Sequence, residues 1–410
     1  PPERQLPGGE LLEKIGEEVS EHVDRRSASL VRVRVVRPKY KATSTTAGET
    51  KIICAEMPER PVPKSIAGPG LLAHTIVAKY ADHIPLHRQE IIYKREGLRV
   101  PRQTLSDWVG ASNALLCRIV DAMWEDAKRA RYFLVDATGV LVQAERECRR
   151  AHFYVTVVPR EHVLYRFTAT NDGDTVARLY AGFSGHFHAD ASAVYHELYR
   201  QQAGLVEVGC WAHARRRFFE ALGTDRERAL VGIGFIGLLY EAHRAALDRD
   251  GRDGRVDKEQ RSRAARPILA RIFSWARREF RGTETGTPID EALGYLIRQR
   301  RPLRRFLDDA ILRLDNNLAE LELRREVVGR KNWLFLGSDN GAIWNTTMVS
   351  LIASCQMHDI EPEAYLRDVL TLLPGWPVNR VLELSPKHWR ETAAKAETRE
   401  RLDGLRLLRD

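Results

Sequence analysis

Cysteine is scarce in this sequence. The five in 410 residues (Cys54, Cys117, Cys148, Cys210 and Cys355) include no Cys-x-x-Cys pair. That spacing argues against a cysteine-built zinc knuckle, and so few cysteines in so long a chain argue against a disulfide framework. A reducing, cytoplasmic setting is expected. No apolar run approaches the ~20 residues that a bilayer-crossing helix needs, so no membrane partner is expected. Pro1 to Gly9 form neither a basic-then-apolar signal nor an Arg-rich transit segment. The sequence opens on Pro1 without an initiator Met, and residues are expected to precede it. No internal repeat and no long low-complexity segment is present.

What the sequence does have is positive charge, most of it from arginine. Lys and Arg total 65 against 56 Asp and Glu, a net charge of +9 and a pI near 9.4. The guanidinium is a planar fork suited to phosphate, so this balance favours a nucleic-acid partner without establishing one. The length exceeds what one core ordinarily serves, and about two to four domains are expected.

The apolar pattern divides the chain. Leu11, Leu12, Ile15, Val19 and Val23 fall at helical spacing, which predicts a charged helix over 10–30. Residues 30–56 alternate as strands. The Pro/Gly-rich stretch 58–70 reads as a linker. Helices are predicted over 71–83, 86–97 and 102–130, the last with Thr104 as its N-cap. The pattern then changes to strands over 131–142, 149–159 and 162–170, a helix over 173–183, a strand over 185–190, a helix over 192–202 and a strand over 205–214. The order is β-β-β-α-β-α-β. From 215 to about 325 the pattern is helical, broken by a charged stretch at 249–260 that reads as a solvated loop.

Three acidic residues stand out against this frame. Asp136 lies inside the strand pattern "FLVDATG", where a carboxylate is costly unless solvated, paired or metal-bound. Asp190 ends the strand "GHFHAD" just before a helix. Glu320 follows Asp315 and Asn316, either of which can cap the helix that carries it. Each has an ordinary reading too: an edge-strand aspartate, an N-cap, and an i,i+4 ion pair with Arg324. Together they form a carboxylate set. Such oxygens suit Mg²⁺ or Mn²⁺, and three carboxylates can hold two ions about 3.5–4 Å apart that clamp a phosphodiester. From Asp136 to Asp190 the spacing is 54 residues (190 − 136), enough for two strands and a helix. From Asp190 to Glu320 it is 130 residues (320 − 190), which requires a helical insertion.

Basic elements accompany the set. Residues 86–110 read as a helix-turn-helix, with Arg99, Arg102 and Gln103 at the entry to its second helix, where groove contacts are made, and Leu105 and Trp108 packed inward. An ordinary helical hairpin with a basic surface is the alternative. "WAHARRRF" places His213, Arg215, Arg216 and Arg217 after the last strand, either to clamp phosphates or as a solvated helix start. His213 can also orient a phosphate or an attacking water. Arg324, Arg330, Lys331 and Asn332 flank the glutamate helix as candidate DNA contacts. Trp333 and Phe335 are candidates to stack on an unpaired base, or are core aromatics.

At these residues the chain resembles the transposases of the insertion sequence 66 family. The similarity is carried by "LLAHTIVAKYADHIPLHRQE" (71–90), "GCWAHARRRF" (209–218), "LDNNLAELELRREVVGRKNWLFLGSDNGA" (314–342) and "HDIEPEAYLRDVLTLLPGWPVNRVLELSPKHW" (358–389). The resemblance implies an α/β, ribonuclease-H-like mixed sheet with a large all-helical insertion and a helical N-terminal DNA-binding region. It implies a DNA transposase, with Asp136, Asp190 and Glu320 as catalytic residues and ligands of two Mg²⁺ or Mn²⁺ ions. The implied partners are transposon-end inverted-repeat DNA and target DNA, in a dimer or larger assembly in the bacterial nucleoid, with accessory proteins of the same element among the candidates. The corresponding division is 1–57, a linker at 58–70, a helix-turn-helix-like region at 71–130, core at 131–214, insertion at 215–312, core with the glutamate helix at 313–355, and a C-terminal element at 356–410.

The sequence departs from the family pattern at three places. Asp136 is followed by Ala137 where the family usually has Glu. Glu320 is followed by Leu321 where it usually has Arg. "RPKYKATS" has Lys41, Ala42, Thr43 and Ser44 where the family usually carries zinc-binding cysteines, so no zinc is expected here. A decayed or domesticated DNA-binding copy and a nuclease that cuts without joining are the alternative readings.

Overall fold

The computed structural model describes residues 30–34, 39–43, 50–54, 59–247 and 256–405. The predicted helix at 10–30 and most of the charged stretch at 249–260 lie outside them. Of the predicted N-terminal strands, β1 (Lys39–Thr43) and β2 (Thr50–Cys54) pair antiparallel. Residues 30–34 are irregular, contrary to the strand expected there. Their alternating Val and Arg side chains are exposed, and no strand pairs with them among the described residues.

Three helices follow: α1 (Pro69–Tyr80), α2 (Leu86–Arg95) and α3 (Arg102–Ala127). Helix α3 starts directly after Pro101, whose φ of −60° and ψ of 145° set the chain up for the first turn. Thr104 therefore sits inside the helix instead of capping it. Leu105, Trp108, Leu116, Ile119, Met123 and Trp124 of α3 are buried in the same apolar cluster as Phe133 and Tyr165 of the sheet.

The central sheet has five strands: β3 (Tyr132–Gln143), β4 (Cys148–Val158), β5 (His162–Thr168), β6 (Gly185–His188) and β7 (Leu205–Val208). Their spatial order is β5-β4-β3-β6-β7. The first three form an antiparallel meander, and β6 and β7 run parallel to β3. Crossovers pass through α4 (Gly173–Leu179) and then α5 (His196–Gln201). Gly185 starts β6 at φ +143°, and a Cβ there would lie 2.7 Å from the Arg131 carbonyl oxygen, so only glycine fits.

The last predicted strand is too long. It ends at Val208, and α6 (Trp211–Glu220) begins three residues later, so the boundary drawn at 214/215 falls within that helix. Its parallel partner β6 ends opposite it, at His188 with Val208, which leaves nothing for residues beyond to pair with. The helical stretch continues through α7 (Arg226–Ala245), α8 (Lys258–Phe280) and α9 (Pro288–Arg298) to a 3₁₀ turn at Pro302–Leu307. Then come α10 (Asn317–Trp333), α11 (Asp339–Met357), α12 (Pro362–Leu372), α13 (Pro386–Ala394) and α14 (Ala396–Leu405).

Helix α11 covers the exposed edge of the sheet. Ser350 Oγ accepts from the Tyr165 N–H at 2.8 Å, and Ser354 Oγ accepts from the Val163 N–H and donates to the Val163 carbonyl, both at 3.0 Å. Two buried serines four residues apart thus satisfy groups that an edge strand would otherwise offer to another chain. Among the described residues no helix is long and apolar enough to cross a membrane.

Candidate functional site

Strand register brings the first two carboxylates together. In the parallel pair β3/β6, Leu134 lies opposite His188. Two residues further along each strand stand Asp136 and Asp190. A step of two keeps a side chain on the same face, and neighbouring strands lie about 4.8 Å apart. Both aspartates are half-buried. They lie where β6 ends and β3 runs on with only β4 beside it, at the carboxyl end of the parallel strands, where open α/β sheets form their clefts. Asp136 Oδ1 accepts from the Ala137 N–H at 2.8 Å, and Asp190 Oδ1 accepts from the Ser192 N–H at 3.3 Å.

The third carboxylate arrives on α10. Asn316 precedes this helix at its cap position but makes no capping bond. Its side-chain amide instead donates to the Val135 carbonyl at 2.7 Å, and its own N–H donates to Cys210 Sγ at 3.3 Å. Asn316 thus ties the start of α10 to the residue before Asp136 through its side chain, and to the elbow between β7 and α6 through its backbone N–H. Glu320 lies in the first turn of α10, half-buried, and its Oε1 is 3.7 Å from His213 Nδ1 on α6. No ion pair joins it to Arg324 among the described residues. Further along α10, Arg330 donates to Thr138 Oγ1 at 3.0 Å and to the Gly139 carbonyl, which fastens the helix along β3.

The electrostatics report the convergence. Burial pushes the Asp136 carboxyl up to about 7 from an ordinary 3.8. The Ala137 N–H opposes that shift, the Glu320 and Asp190 charges add to it, and Arg216 opposes it again. Oxygen ligands of this kind are the type a hard divalent cation takes, but among the described residues the ligand atoms within 4.8 Å of one another at this site are those of Cys210, His213 and Glu320, not of Asp136 or Asp190.

The remaining predicted residues fall into groups. His213 and Arg216 belong to the cluster. Arg215 is exposed beside it. Arg217 turns to α9, 3.7 Å from Glu291 and over the Tyr295 ring at 4.9 Å. Arg324, Lys331 and Asn332 are exposed along α10. Trp333 is half-buried against the small apolar group of Val140, Val142 and Phe153, whereas Phe335 is exposed. Arg99, Arg102 and Gln103 are exposed at the start of α3, where Gln103 donates to Asp107 at 2.9 Å. Leu105 and Trp108 are buried beneath them.

Sequence reasoning missed Asn316 as a tether and Cys210 as its partner. Cys210, His213 and Glu320 bring their ligand atoms within 4.8 Å of one another. The Cys210 thiol is pushed up to about 12 by burial and already accepts the Asn316 N–H, so it acts as a structural thiol. The Cys-x-x-His spacing at a helix start was the one available signal.

Comparison with known proteins fits this geometry. Residues 64–343 match the family model described as "Transposase IS66 family", and residues 350–386 match one described as "IS66 C-terminal element". Two proteins of Sinorhizobium fredii are similar along most of the chain. Uncharacterized protein y4qI is 30% identical over 401 residues, covering 93% of this chain and 73% of its own length. Uncharacterized protein y4hP is 28% identical over 411 residues, covering 94% and 73%.

Proposed function

The chain belongs to the IS66 transposase family, and from that premise we propose that it cuts DNA at transposon ends and joins those ends to target DNA, with Asp136, Asp190 and Glu320 as its catalytic carboxylates. The observation that supports the reading is the parallel register, in which Asp136 and Asp190 each follow the Leu134–His188 pair by two residues, together with the Asn316 tether at the start of the helix that bears Glu320. The strand order β5-β4-β3-β6-β7 supports a ribonuclease-H-like core, with residues 215–312 inserted before the glutamate helix.

Three carboxylates of this chemistry would suit two Mg²⁺ or Mn²⁺ ions, and the Asp136 carboxyl, raised first by burial and then by the Glu320 and Asp190 charges, would be relieved by a cation beside it. Bound there, such ions would supply Lewis-acid stabilisation of the phosphodiester oxygens. The chain's own residues do the rest. A water oxygen bonds to phosphorus as the bond to the 3′ oxygen breaks, and that oxygen takes up a proton as a 3′-hydroxyl. The hydroxyl then attacks a target phosphodiester, forming one P–O bond and breaking another. His213, next to Glu320, is placed to hold a hydrogen bond to a phosphate oxygen or to the water. Arg216 adds charge against the phosphate. Arg99 just before α3, with Arg102 and Gln103 in its first turn, would read the inverted repeat as part of a helix-turn-helix. The reaction needs two ends together, so the active form is a dimer or larger.

The test is a strand-transfer assay with labelled end DNA in Mn²⁺. Wild-type protein should release a nicked 3′ end and should join a pre-cut end to target, and Asp190→Asn and Glu320→Gln should do neither. Cleavage without joining would leave a nuclease. End binding with no cleavage in either metal would leave a DNA-binding protein.

A further inference from the structure

A second strongly cationic feature lies away from the carboxylates. The sequence "RQRRPLRRF" ends α9 and forms the 3₁₀ turn at Pro302–Leu307. It lines a cleft of about 600 Å³ with Arg298, Arg300, Arg301, Arg304 and Arg305, against a single acid, Glu207 of β7. Glu207 is itself engaged, hydrogen-bonded by Gln299 and close to Arg305. Among the described residues no carboxylate lies within ion-pair distance of Arg298, Arg300, Arg301 or Arg304.

Like charges gathered in this way repel one another, and the fold holds them together regardless. Arg300 shows the cost most clearly. Its guanidinium lies 5.8 Å from the Phe273 ring, its Nε is buried without an acceptor, and burial and the neighbouring Arg277 and Arg304 make its charge harder to keep. A buried donor without a partner is a group awaiting an acceptor.

The cleft is also rigidly linked to the candidate active site. The Gly209 N–H donates to the Pro302 carbonyl at 3.0 Å, and Trp211 Nε1 donates to the Leu303 carbonyl at 2.8 Å. These bonds fix the arginine turn to the elbow that carries Cys210 and His213. Gly209 lets the two backbones meet, since a Cβ there would lie 2.9 Å from the Leu303 amide nitrogen.

We propose that this arginine cleft is a second DNA-binding site, which grips the phosphate backbone of a duplex held at the carboxylates as it passes the β7 edge of the sheet. The inference rests on the transposase reading and assigns a contact surface beyond α3 and the cluster. Guanidinium forks bind phosphate oxygens in pairs without reading bases, so the contribution is independent of sequence.

The test measures duplex binding against salt for the full chain, with end DNA and with a scrambled duplex of equal length. The variant Arg298→Gln/Arg301→Gln/Arg304→Gln changes three exposed side chains and leaves the half-buried Arg300 and Arg305 in place, so the fold is retained. Each lost phosphate contact lowers the slope of log K against log salt by about 0.9. The expected result is a fall in slope of about 2 to 3 on both duplexes, with affinity for both reduced together. An unchanged slope, with wild-type circular dichroism and wild-type binding intact, overturns the arginine cleft alone. A loss confined to end DNA also overturns it, because a backbone grip cannot discriminate. Failure of the wild-type protein to bind either duplex overturns the transposase reading itself.

Discussion

Replacing Asp136 by Asn should stabilise the metal-free protein while abolishing cleavage. In the folded chain the Asp136 carboxyl stands at about 7 against an ordinary 3.8, first because it is buried and further because Glu320 and Asp190 face it. A carboxyl that holds its proton more tightly folded than unfolded favours the fold below pH about 4. That contribution is withdrawn as pH rises through about 7, since the folded state must then give up a proton it retains better. At about 1.4 kcal/mol per tenfold, the full displacement corresponds to about 4 kcal/mol, and local relaxation and water reduce it to roughly 2–3 kcal/mol. Asparagine has the same shape, carries no charge and keeps an oxygen for the Ala137 N–H. Urea unfolding in EDTA should therefore place Asp136→Asn about 2–3 kcal/mol above wild type at pH 8, with the two alike near pH 4. Mn²⁺ should close the gap at pH 8 by stabilising wild type more than the variant. A variant no more stable than wild type at pH 8, or a gap of equal size at both pH values, would refute the argument that the fold buries Asp136 as a costly, uncompensated carboxylate.

Two further outcomes follow from the supports of the site. Asn316→Ala should cost about 1–3 kcal/mol, because it strands the buried Val135 carbonyl, and should reduce cleavage more than it reduces end binding. Chemical denaturation and a gel-shift assay check the two halves of that expectation. Gly209→Ala should cost a similar 1–3 kcal/mol, since a Cβ would press on Leu303 at 2.9 Å and force the arginine turn off the elbow. A thermal shift within one degree of wild type would count against it.

Much of the sheet was legible because its strands announce themselves locally. The alternation in "RYFLVDATGVLV" and "RRAHFYVTVVP" and the turn residues between them locate β3 and β4 to within a residue or two. The strand after α5 was drawn too long for a physical reason. Apolar residues run on past Val208 through Cys210, Trp211 and Ala212, so the pattern alone does not stop at Val208. The stop comes from outside the segment: β6 offers no further partner, and Pro302 takes the Gly209 N–H. The same limit applies to the site. Asp136 stands out as a carboxylate inside a strand pattern and Asp190 as one just past a strand end. Asn316 does not, because the carbonyl it serves belongs to Val135, 181 residues away, and its sequence neighbourhood suggests only a helix cap. The charge of Arg330 makes it a candidate DNA contact in sequence, and only the fold shows that its guanidinium also holds Thr138 and the Gly139 carbonyl.

The two departures from the family pattern near the carboxylates bear on whether this copy has decayed. Along β3, Ala137 points to the face opposite Asp136, opposite Tyr154 of β4, so a glutamate there would not join the cluster from the same face. Leu321 is 55% exposed, one residue past Glu320, and its side chain leaves the helix about 100° round from the glutamate. Neither substitution removes a carboxylate from the site, and neither touches the Asn316 tether. Restoring the family residues, as Ala137→Glu and Leu321→Arg together, should therefore change end cleavage by less than about tenfold, or about 1.4 kcal/mol in barrier. Single-turnover cleavage in Mn²⁺ measures it. A gain of a hundredfold or more would mean that these positions act on the chemistry through contacts made only with DNA bound, and that the present sequence is an attenuated form of the enzyme.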